Sequence, residues 1–410
     1  MDLSKLAASI REATTIVSSQ PIDIQQREEL SRACESLSAI LEQPRSRLEK
    51  ATHAMTPVVA VRVAIDMNIF NFVHGSSKDE FEGWEIASQV DGDSLLVSRI
   101  LRSLTASGIF SVTSLGTYKP DAVVKDLASG GYLESRILMN FDVHFQIYPK
   151  LPHYLKQTKY ASPSNAYAGP FQSIMGTNKH YFDWMESHPA QLDAFNRTMQ
   201  AGAMRDNSAR WTQIFPIAER LEIFEISTGR AKKELQFVDV GGGIGHEIKI
   251  LLDSFPFLRG NFVLQDVSSV IQAMLPDLAR PTDIRSVQAM GYNFFEPQPV
   301  VGAHIYFLGR VLHDWPDTQA RIILQQVRDA MDEDSVLLIH DRVLPDFASN
   351  VHPTDSIMDL NMMILFSSLE RTEKQFRTLL SSVGLELVNV WRSPTGGFHR
   401  QAVLEAIRRR

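Results

Sequence analysis

Cysteine is nearly absent from this chain, because its 410 residues include one, Cys34. A single cysteine excludes a fold held by disulfides within the chain and agrees with a reducing compartment. The chain also lacks an apolar run near the roughly 20 residues that a membrane-spanning helix needs. Its first residues, MDLSKLAASIREA, have no basic segment followed by an apolar stretch. We therefore expect no secretory signal and a cytoplasmic protein.

An excess of positive charge is missing as well. The formal net charge is −7 and the isoelectric point is near 6.0. Proteins that bind nucleic acid or anionic membranes through their charge need a basic surface, so neither partner is expected. Apolar residues make up 44% of the chain, and its length is sufficient for two or three separately packed domains.

The N-terminal part of the sequence, residues 1–130, predicts a helical domain. Residues 58–65 are apolar nearly all round, which indicates a helix in a core or in a subunit interface. Residues 83–120 predict two short helices and a hairpin, the order found in a winged helix. The second of these helices offers only Arg99 and Arg102 to a DNA groove and is acidic at its N-terminal end. A DNA-binding regulator is therefore the less favoured interpretation.

Two further segments follow. Residues 131–225 are mainly helical in pattern and rich in aromatic residues and methionine, which suits either a helical core or the lining of a pocket for a flat aromatic ligand. Residues 226–410 alternate short apolar strands with helices. Such alternation predicts a parallel sheet covered on both faces, and a final hairpin with a glycine turn predicts an antiparallel edge.

A glycine-rich loop is the strongest local signal. In FVDVGGGIGHEIKILL a strand ends in Gly241, Gly242, Gly243 and Gly245, and a helix begins at once. Glycines let a ligand approach the backbone, and the helix N-terminus offers free N–H groups. Residue 246 is histidine where a dinucleotide fingerprint has its third glycine. The spacing therefore favours a nucleoside with an amino-acid tail over a dinucleotide.

Other candidate residues follow the next strands. Asp266 ends the strand after the loop, where a carboxylate can accept both ribose hydroxyls; the alternative is a helix cap. In MGYNFFEP, Asn293 and Phe294 could contact an adenine ring, or could form a turn with buried aromatic residues. His313, in FLGRVLHDWPDT, could be a catalytic base, a metal ligand or a buried histidine. His340 keeps the metal interpretation open.

Together, VDVGGGIG, VLQD, NFFEP, LHDWPD and LERTEKQF resemble, in this order, the S-adenosylmethionine-dependent O-methyltransferases of the caffeate and flavonoid type, in the form found in fungal secondary metabolism. The resemblance covers nearly the whole chain. It implies an α/β fold, with a Rossmann-like seven-stranded class I methyltransferase sheet and an N-terminal winged-helix dimerisation domain. It also implies a homodimer, S-adenosylmethionine as cofactor, a small aromatic or polyketide acceptor and no metal.

The resemblance assigns roles to individual residues. It implies that His313 is the catalytic base and that Asp341 and Glu370 are the acids flanking it. The positions that would hold the cofactor are Gly241, Gly243, Asp266, Asn293, Phe294, Arg310 and Trp315. The positions that would line the acceptor pocket are His144, Phe195, Met199, Met362 and Met363.

The predicted chemistry requires a deprotonated oxygen held close to a sulfonium methyl group. A phenol with a pKa near 10 that faces a histidine with a pKa near 6.5 makes proton transfer uphill by about 3.5 units. An acid behind the imidazole would fix its tautomer and favour its protonated form. Asp341 and Glu370 are the candidates for that acid.

Three positions depart from the family pattern. Gly309 stands where members usually carry a lysine or arginine in contact with the cofactor's carboxylate, so Arg310 is the nearest cation. Asn293 replaces a more usual aspartate, and Asp341 is a glutamate in plant members. Some fungal relatives keep the fold and cofactor but catalyse pericyclic or dehydration reactions, having lost the histidine of H-D-W. Because His313 is present, the sequence predicts methyl transfer, with a pericyclase-like enzyme as the alternative.

Overall fold

The structure is a computed structural model that describes residues 2–19, 22–205, 210–220, 235–256, 258, 260–272, 287–347, 352–392 and 400–409. The chain forms two compact units, Met1–Val124 and Lys125–Arg410. The glycine turn predicted between the last two strands lies outside the described residues.

The first unit consists of helices followed by a two-stranded antiparallel hairpin. The helices are α1 Leu3–Ser19, α2 Ile24–Leu41, α3 Pro44–His53, α4 Met55–Asp66, α5 Ile69–Gly75, α6 Gly83–Gln89 and α7 Ser94–Ala106, and the strands are β1 Phe110–Val112 and β2 Tyr118–Pro120. Asp93 begins α7 by accepting a hydrogen bond from the backbone N–H of Leu96, as expected of an N-cap aspartate. The apolar face of α7 is buried through Val97, Leu101 and Leu104.

None of the individual helices that the structure describes has the length and apolar character needed to cross a membrane. One bent pair, Pro44–Asp66 with Ile69–Gly75, meets the criterion by length and composition when taken together, with an angle of 64° between its parts.

The second unit begins with a helical region. Its helices are α8 Val124–Leu127, α9 Tyr132–Met139, α10 Phe145–Ile147, α11 Leu151–Gln157, α12 Pro170–Met175, α13 Tyr181–Glu186, α14 Pro189–Arg205 and α15 Trp211–Ile214. A π-helical turn, Asn140–His144, joins α9 to α10, and a 3₁₀ turn, Tyr148–Lys150, joins α10 to α11. Single π-helical turns inside helices occur often at functional sites.

A mixed β-sheet forms the rest of the second unit. Its strands are β3 Leu235–Val240, β4 Gly260–Asp266, β5 Val287–Gly291, β6 Ile305–Gly309, β7 Val336–Leu344, β8 Arg371–Thr372, β9 Leu385–Arg392 and β10 Gln401–Arg408. Seven strands run in the order β5-β4-β3-β6-β7-β10-β9. The first five are parallel, whereas β10 is antiparallel to both β7 and β9. The sequence did not predict β8, which pairs with the end of β7.

Helices cover the sheet because its strands are apolar on both faces. Successive strand residues point to opposite sides, so Val238 and Leu308 lie in one core cluster while Phe237 and Phe307 lie in the other. The helices of this part are α16 His246–Ser254, α17 Asp317–Ala330, α18 Pro353–Phe366 and α19 Glu373–Ser382. The strand order reverses between β3 and β6, and in such sheets the crevice beyond the carboxyl ends of the strands at this point binds ligands.

Candidate active site

His313 lies in a 3₁₀ turn, Leu312–Asp314, just after β6. Its Nδ1 atom is 3.2 Å from Glu370 Oε1 and 3.6 Å from Asp341 Oδ1. Its Nε2 atom is 3.6 Å from Asp314 Oδ1. Three carboxylates therefore surround one largely buried imidazole. Glu370, at hydrogen-bonding distance, is its closest acidic partner.

These carboxylates determine the protonation of the ring. Burial alone lowers the pKa of His313, but the negative charges of Asp341, Asp314 and Glu370 raise it to about 10. Burial raises the pKa of Asp314 to about 7 and also raises the pKa of Asp341, while the His313 cation opposes both changes. The rise has the direction expected from an acid behind the imidazole, and the charge of Asp314 adds to those of Asp341 and Glu370. The imidazole is protonated at neutral pH in this structure.

Glu370 is held in place from two sides. Its backbone N–H donates to Asp359 Oδ1 at 2.9 Å. Arg342 Nε lies 3.8 Å from Glu370 Oε1, and Arg342 Nη1 is 2.9 Å from Asp355 Oδ1. The Glu370 carboxylate thus lies between the His313 ring and the buried Arg342.

The glycine loop has the open backbone that a bound nucleoside requires. Gly241, Gly243 and Gly245 have φ values of 73°, 56° and 77°, in the left-handed region that favours glycine. A Cβ atom on Gly243 would meet nothing within 4 Å, whereas one on Gly242 would lie 2.5 Å from the Asp239 carboxylate. The loop is therefore packed against the sheet at Gly242 and open at Gly243.

Asp266 is fixed by this loop. Its Oδ2 atom accepts a hydrogen bond from the Gly243 N–H at 2.8 Å, and its Oδ1 atom accepts one from the Val267 N–H at 2.8 Å. Burial raises the pKa of Asp266, and these two hydrogen bonds oppose that rise. The Asp266 carboxylate is therefore tied to the glycine loop.

Asp239 is a buried carboxyl beneath the glycine loop that the sequence interpretation did not single out. It is fully buried on β3, and neither carboxylate oxygen has a hydrogen-bond partner among the described residues. Burial, with the nearby charges of Glu247 and Asp266, raises its pKa well above the usual value. A buried carboxyl without a hydrogen-bond partner is uncommon. It fits a loop whose ligand brings N–H groups that can donate to this carboxyl. The feature of the sequence that could have identified Asp239 is its position two residues before Gly241.

Arg310 extends toward the start of α16. Its φ is 56°, and its guanidinium contacts His246 and lies 3.0 Å from Glu247 Oε1. A Cβ on Gly309 would lie 2.7 Å from the Phe307 ring. The family's usual cation at position 309 is thus incompatible with this phenylalanine unless the ring moves. The nearest cation, Arg310, is already paired with Glu247 of α16.

The predicted adenine contacts occupy two neighbouring loops. Asn293 is exposed, and its Oδ1 accepts a hydrogen bond from the Phe295 N–H at 3.1 Å. Phe294 meets Trp315 edge to face, with ring centroids 5.8 Å apart. The buried His180, which the sequence interpretation missed, stacks on Trp315 at 4.3 Å with an interplanar angle of 8°. Trp315 therefore contacts both Phe294, a predicted adenine contact, and His180 at the start of α13.

The structure brings together three of the residues predicted for the acceptor pocket. Phe195, Met362 and Met363 belong to one apolar cluster with several aromatic rings, including Phe171, Tyr181, Trp184 and Phe366. Met199 is 39% exposed and lies outside that cluster. His144 is buried in the π-helical turn, which packs against α18. Burial lowers the pKa of His144 to about 4, so this ring is neutral at physiological pH.

Metal binding was the alternative role weighed for His313. One atom each from His313, Asp341 and Glu370 lies within 4.8 Å of the others, a spacing that a cation could bridge. His340 does not belong to this group; its Nδ1 is 4.0 Å from Glu247 Oε1. The same spacing is the one expected of a protonated imidazole between two carboxylates.

Known proteins resemble this chain along most of its length. The family profile of the O-methyltransferase domain matches residues 213–386. Over 85% of its length the chain is 35% identical to the O-methyltransferase mfmE of Annulohypoxylon moriforme, and the match covers 82% of that protein. It is 30% identical to a demethylsterigmatocystin 6-O-methyltransferase of Aspergillus flavus, over 86% of each protein.

Solved structures of the same fold also match this chain. The structure of LepI in complex with S-adenosylmethionine covers 100% of both chains, with a TM-score of 0.83 and 26% identity. A structure described as a pericyclic reaction enzyme gives the same TM-score, identity and coverage. With the glycine loop, Asp266 and the His313 cluster in place, these matches show that the chain belongs to the family of S-adenosylmethionine-dependent O-methyltransferases.

Proposed function

We propose that the acceptor is a phenolic hydroxyl of a small aromatic polyketide and that His313 is the general base. The observation that carries this proposal is the His313 turn at the carboxyl edge of the sheet, with Glu370 behind Nδ1 at 3.2 Å. The aromatic cluster around Phe195 and Met362 supports a flat acceptor. The A. flavus relative, by its name, methylates demethylsterigmatocystin.

Several described residues fit S-adenosylmethionine. We assign the ribose to Asp266, the methionine part to the loop at Gly241 and Gly243, and the adenine to Asn293 and Phe294, with Trp315 close by. Arg310 would face the carboxylate end of the methionine part. When bound, this cofactor supplies an electrophilic methyl group on a positively charged sulfur. The unpartnered carboxyl of Asp239 and the open space at Gly243 are the features that fit such a ligand.

The role of His313 is to take the proton of the acceptor hydroxyl. Because Nδ1 faces both Glu370 at 3.2 Å and Asp341 at 3.6 Å, whereas Nε2 faces Asp314 alone at 3.6 Å, Nε2 is the ring atom that we assign to the acceptor. A ring with a pKa of about 10 matches a phenol with a pKa near 10, so proton transfer to the neutral ring costs little. At pH 8, however, about one ring in a hundred is neutral. The rate should therefore rise with pH.

Glu370→Gln is expected to shift this pH dependence. Removing a carboxylate next to the ring lowers the pKa of His313, so the inflection in kcat/KM should move to lower pH by about one unit or more. In the wild type the rate should still be rising above pH 8. Profiles of kcat/KM between roughly pH 6 and 10.5 test this, with the exposed Asp253→Asn as a control that leaves the inflection in place. An identical inflection in Glu370→Gln and the wild type would refute the assignment.

A panel of matched acceptors tests the proposed substrate class. Each aromatic polyketide with a free phenol is paired with the same compound carrying a methyl ether at that oxygen. We expect the protein to convert members of the first set and to leave their blocked partners unchanged. Conversion of the blocked compounds at equal rates would exclude a phenolic oxygen as the methyl acceptor.

A pericyclic reaction is the second candidate. It is favoured by the fold similarity to the pericyclic reaction enzyme, which extends over the whole chain at a TM-score of 0.83. A fixed positive charge can assist such chemistry electrostatically, and His144, His153, Arg310 and Arg342 are candidate polar groups. Turnover of a substrate with no consumption of S-adenosylmethionine would favour this candidate.

We also propose that the N-terminal region, residues 1–130, is a winged-helix dimerisation domain and that residues 131–225 line the acceptor pocket. Large apolar side chains along α1 and α2 are exposed, including Leu3, Ile10, Ile16, Ile40 and Leu41. A second copy of the chain would cover such side chains. Sedimentation at micromolar concentration should show twice the 46.2 kDa of one chain. A species of 46.2 kDa would contradict this proposal.

A further inference from the structure

We propose that Arg371 is a positioning residue for methyl transfer, which acts by fixing the backbone turn that carries His313. This inference rests on the proposed role of His313 as base. Arg371 is 1% exposed, although arginine is seldom fully buried without partners. Its contacts show what its burial achieves.

The Arg371 guanidinium bridges the two ends of the His313 turn. Its Nη1 donates to the carbonyl of Leu312 at 2.6 Å, and its Nη2 donates to the carbonyl of Trp315 at 2.8 Å. Nε and Nη2 also donate to Asp317 Oδ1, at 3.1 Å and 2.9 Å. The two carbonyls stand on either side of His313 and Asp314 in the chain, so the backbone of the catalytic turn is tied at both ends to one rigid group.

Arginine is the residue that this arrangement requires. A guanidinium has five donors in a fixed plane, whereas a lysine ammonium is a single point with rotating donors. A lysine at 371 would keep the positive charge but could not hold both carbonyls and the Asp317 carboxylate in one plane. Replacing arginine by lysine at position 371 therefore tests the geometric role of Arg371 separately from its charge.

Arg371 is the first residue of the short strand β8, and Glu370 immediately precedes it. Arg371 pairs with Val343 at the end of β7, two residues after Asp341. Glu370 extends to the His313 ring while Arg371 extends to the backbone on either side of it. One segment of chain thus sets both the orientation of the ring and the position of the turn.

The Arg371 charge also acts on the acids around the base. It opposes the burial that raises the pKa of Asp341. His313, Asp314, Asp341 and Glu370 carry one positive and three negative charges when all are ionised, and Arg371 adds a positive charge whose hydrogen bonds go to the Leu312 and Trp315 carbonyls and to Asp317. Because a guanidinium stays protonated, Arg371 can hold the turn without competing for the acceptor's proton.

Arg371→Lys is expected to lower kcat about 100-fold, because a misplacement of about 1 Å in a catalytic group has effects of this size. The KM values for S-adenosylmethionine and acceptor should stay within about twofold. Asp317→Ala removes the outer anchor at a side chain that is 52% exposed, and it should lower kcat about 5-fold without endangering the fold. Arg377→Met, which removes a half-exposed arginine bonded to Glu373 and to the Leu387 carbonyl, is the matched control and should leave kcat unchanged.

A double-variant cycle with His313→Ala distinguishes the possible failures. If Arg371 acts through His313, adding Arg371→Lys to His313→Ala should slow the reaction by less than about twofold. Additive losses, or equal losses in kcat and in cofactor affinity, would overturn the positioning role and leave the base in place. Unchanged activity of His313→Ala alone would instead refute the proposed function. If Arg371→Lys fails to fold, the same cycle is made with Asp317→Ala and His313→Ala, and additive losses there overturn the positioning role.

Discussion

His313→Ala is expected to lower kcat about 1000-fold, within the 10²- to 10⁴-fold range of general-base catalysis. This loss corresponds to about 4 kcal/mol of transition-state stabilisation. The variant leaves the acceptor hydroxyl without the imidazole that would take its proton. Asp341 and Glu370 remain, but they lie behind the missing ring, on the side of Nδ1, and are poorly placed to replace it. Asp314 remains on the side of Nε2, but with a pKa of about 7 it is a weaker base than a ring with a pKa of about 10.

The loss should appear in kcat and not in the binding of S-adenosylmethionine, because His313 is assigned to the acceptor's proton and not to the cofactor. Calorimetry with S-adenosylmethionine should give the same Kd for variant and wild type. His74→Ala, at an exposed position in the first unit, is the control for replacing a histidine. A His313→Ala variant whose kcat is within threefold of the wild type would show that the ring is not the base.

Asp266→Ala is expected to weaken the binding of S-adenosylmethionine about 100-fold. The carboxylate is assigned to the ribose hydroxyls, and hydrogen bonds to a charged group contribute about 1.5 to 3 kcal/mol each. A loss near 3 kcal/mol corresponds to about a 100-fold change in Kd. The replacement also leaves the Gly243 and Val267 N–H groups without the carboxylate that accepts from them, which loosens the loop.

Titration calorimetry measures this effect directly. Activity should return at high S-adenosylmethionine concentration, because the His313 cluster is untouched. Asp253→Asn, at an exposed carboxylate paired with Lys249, should bind as the wild type does. Equal Kd values for Asp266→Ala and the wild type would remove Asp266 from the cofactor site.

Local patterns in the sequence predicted the parts of the site that follow strands. Apolar runs predicted β3, β4, β6 and β7, and in parallel sheets the carboxyl ends of strands share an edge. The glycine loop, Asp266 and the turn of His313 could therefore be expected near one another. The hydrogen bond between Gly243 and Asp266 is the direct consequence.

Features that depend on distances between side chains in the folded protein could not be predicted. Asp314 is next to His313 in the chain, but the sequence did not show that a 3₁₀ turn would place its carboxylate 3.6 Å from Nε2. The stack of His180 on Trp315 joins residues from separate parts of the chain. The pKa of His313 reflects three charges and its burial together, so no single motif contains it.

The Gly309 position shows the same limit. The sequence revealed that the family's usual cation is missing there, and Arg310 was the natural replacement. The structure adds that a Cβ at position 309 would lie 2.7 Å from the Phe307 ring. It also shows that Arg310 already has a partner in Glu247, which the sequence spacing did not reveal.

Transfer of an isotopic label shows whether this chain moves a methyl group to an acceptor oxygen. The protein is incubated with methyl-labelled S-adenosylmethionine and a phenolic acceptor, and label in the acceptor is compared with demethylated cofactor formed. We expect one labelled methyl group on the acceptor oxygen for each cofactor consumed. An acceptor that is converted without gaining label, while the cofactor stays intact, would contradict this expectation.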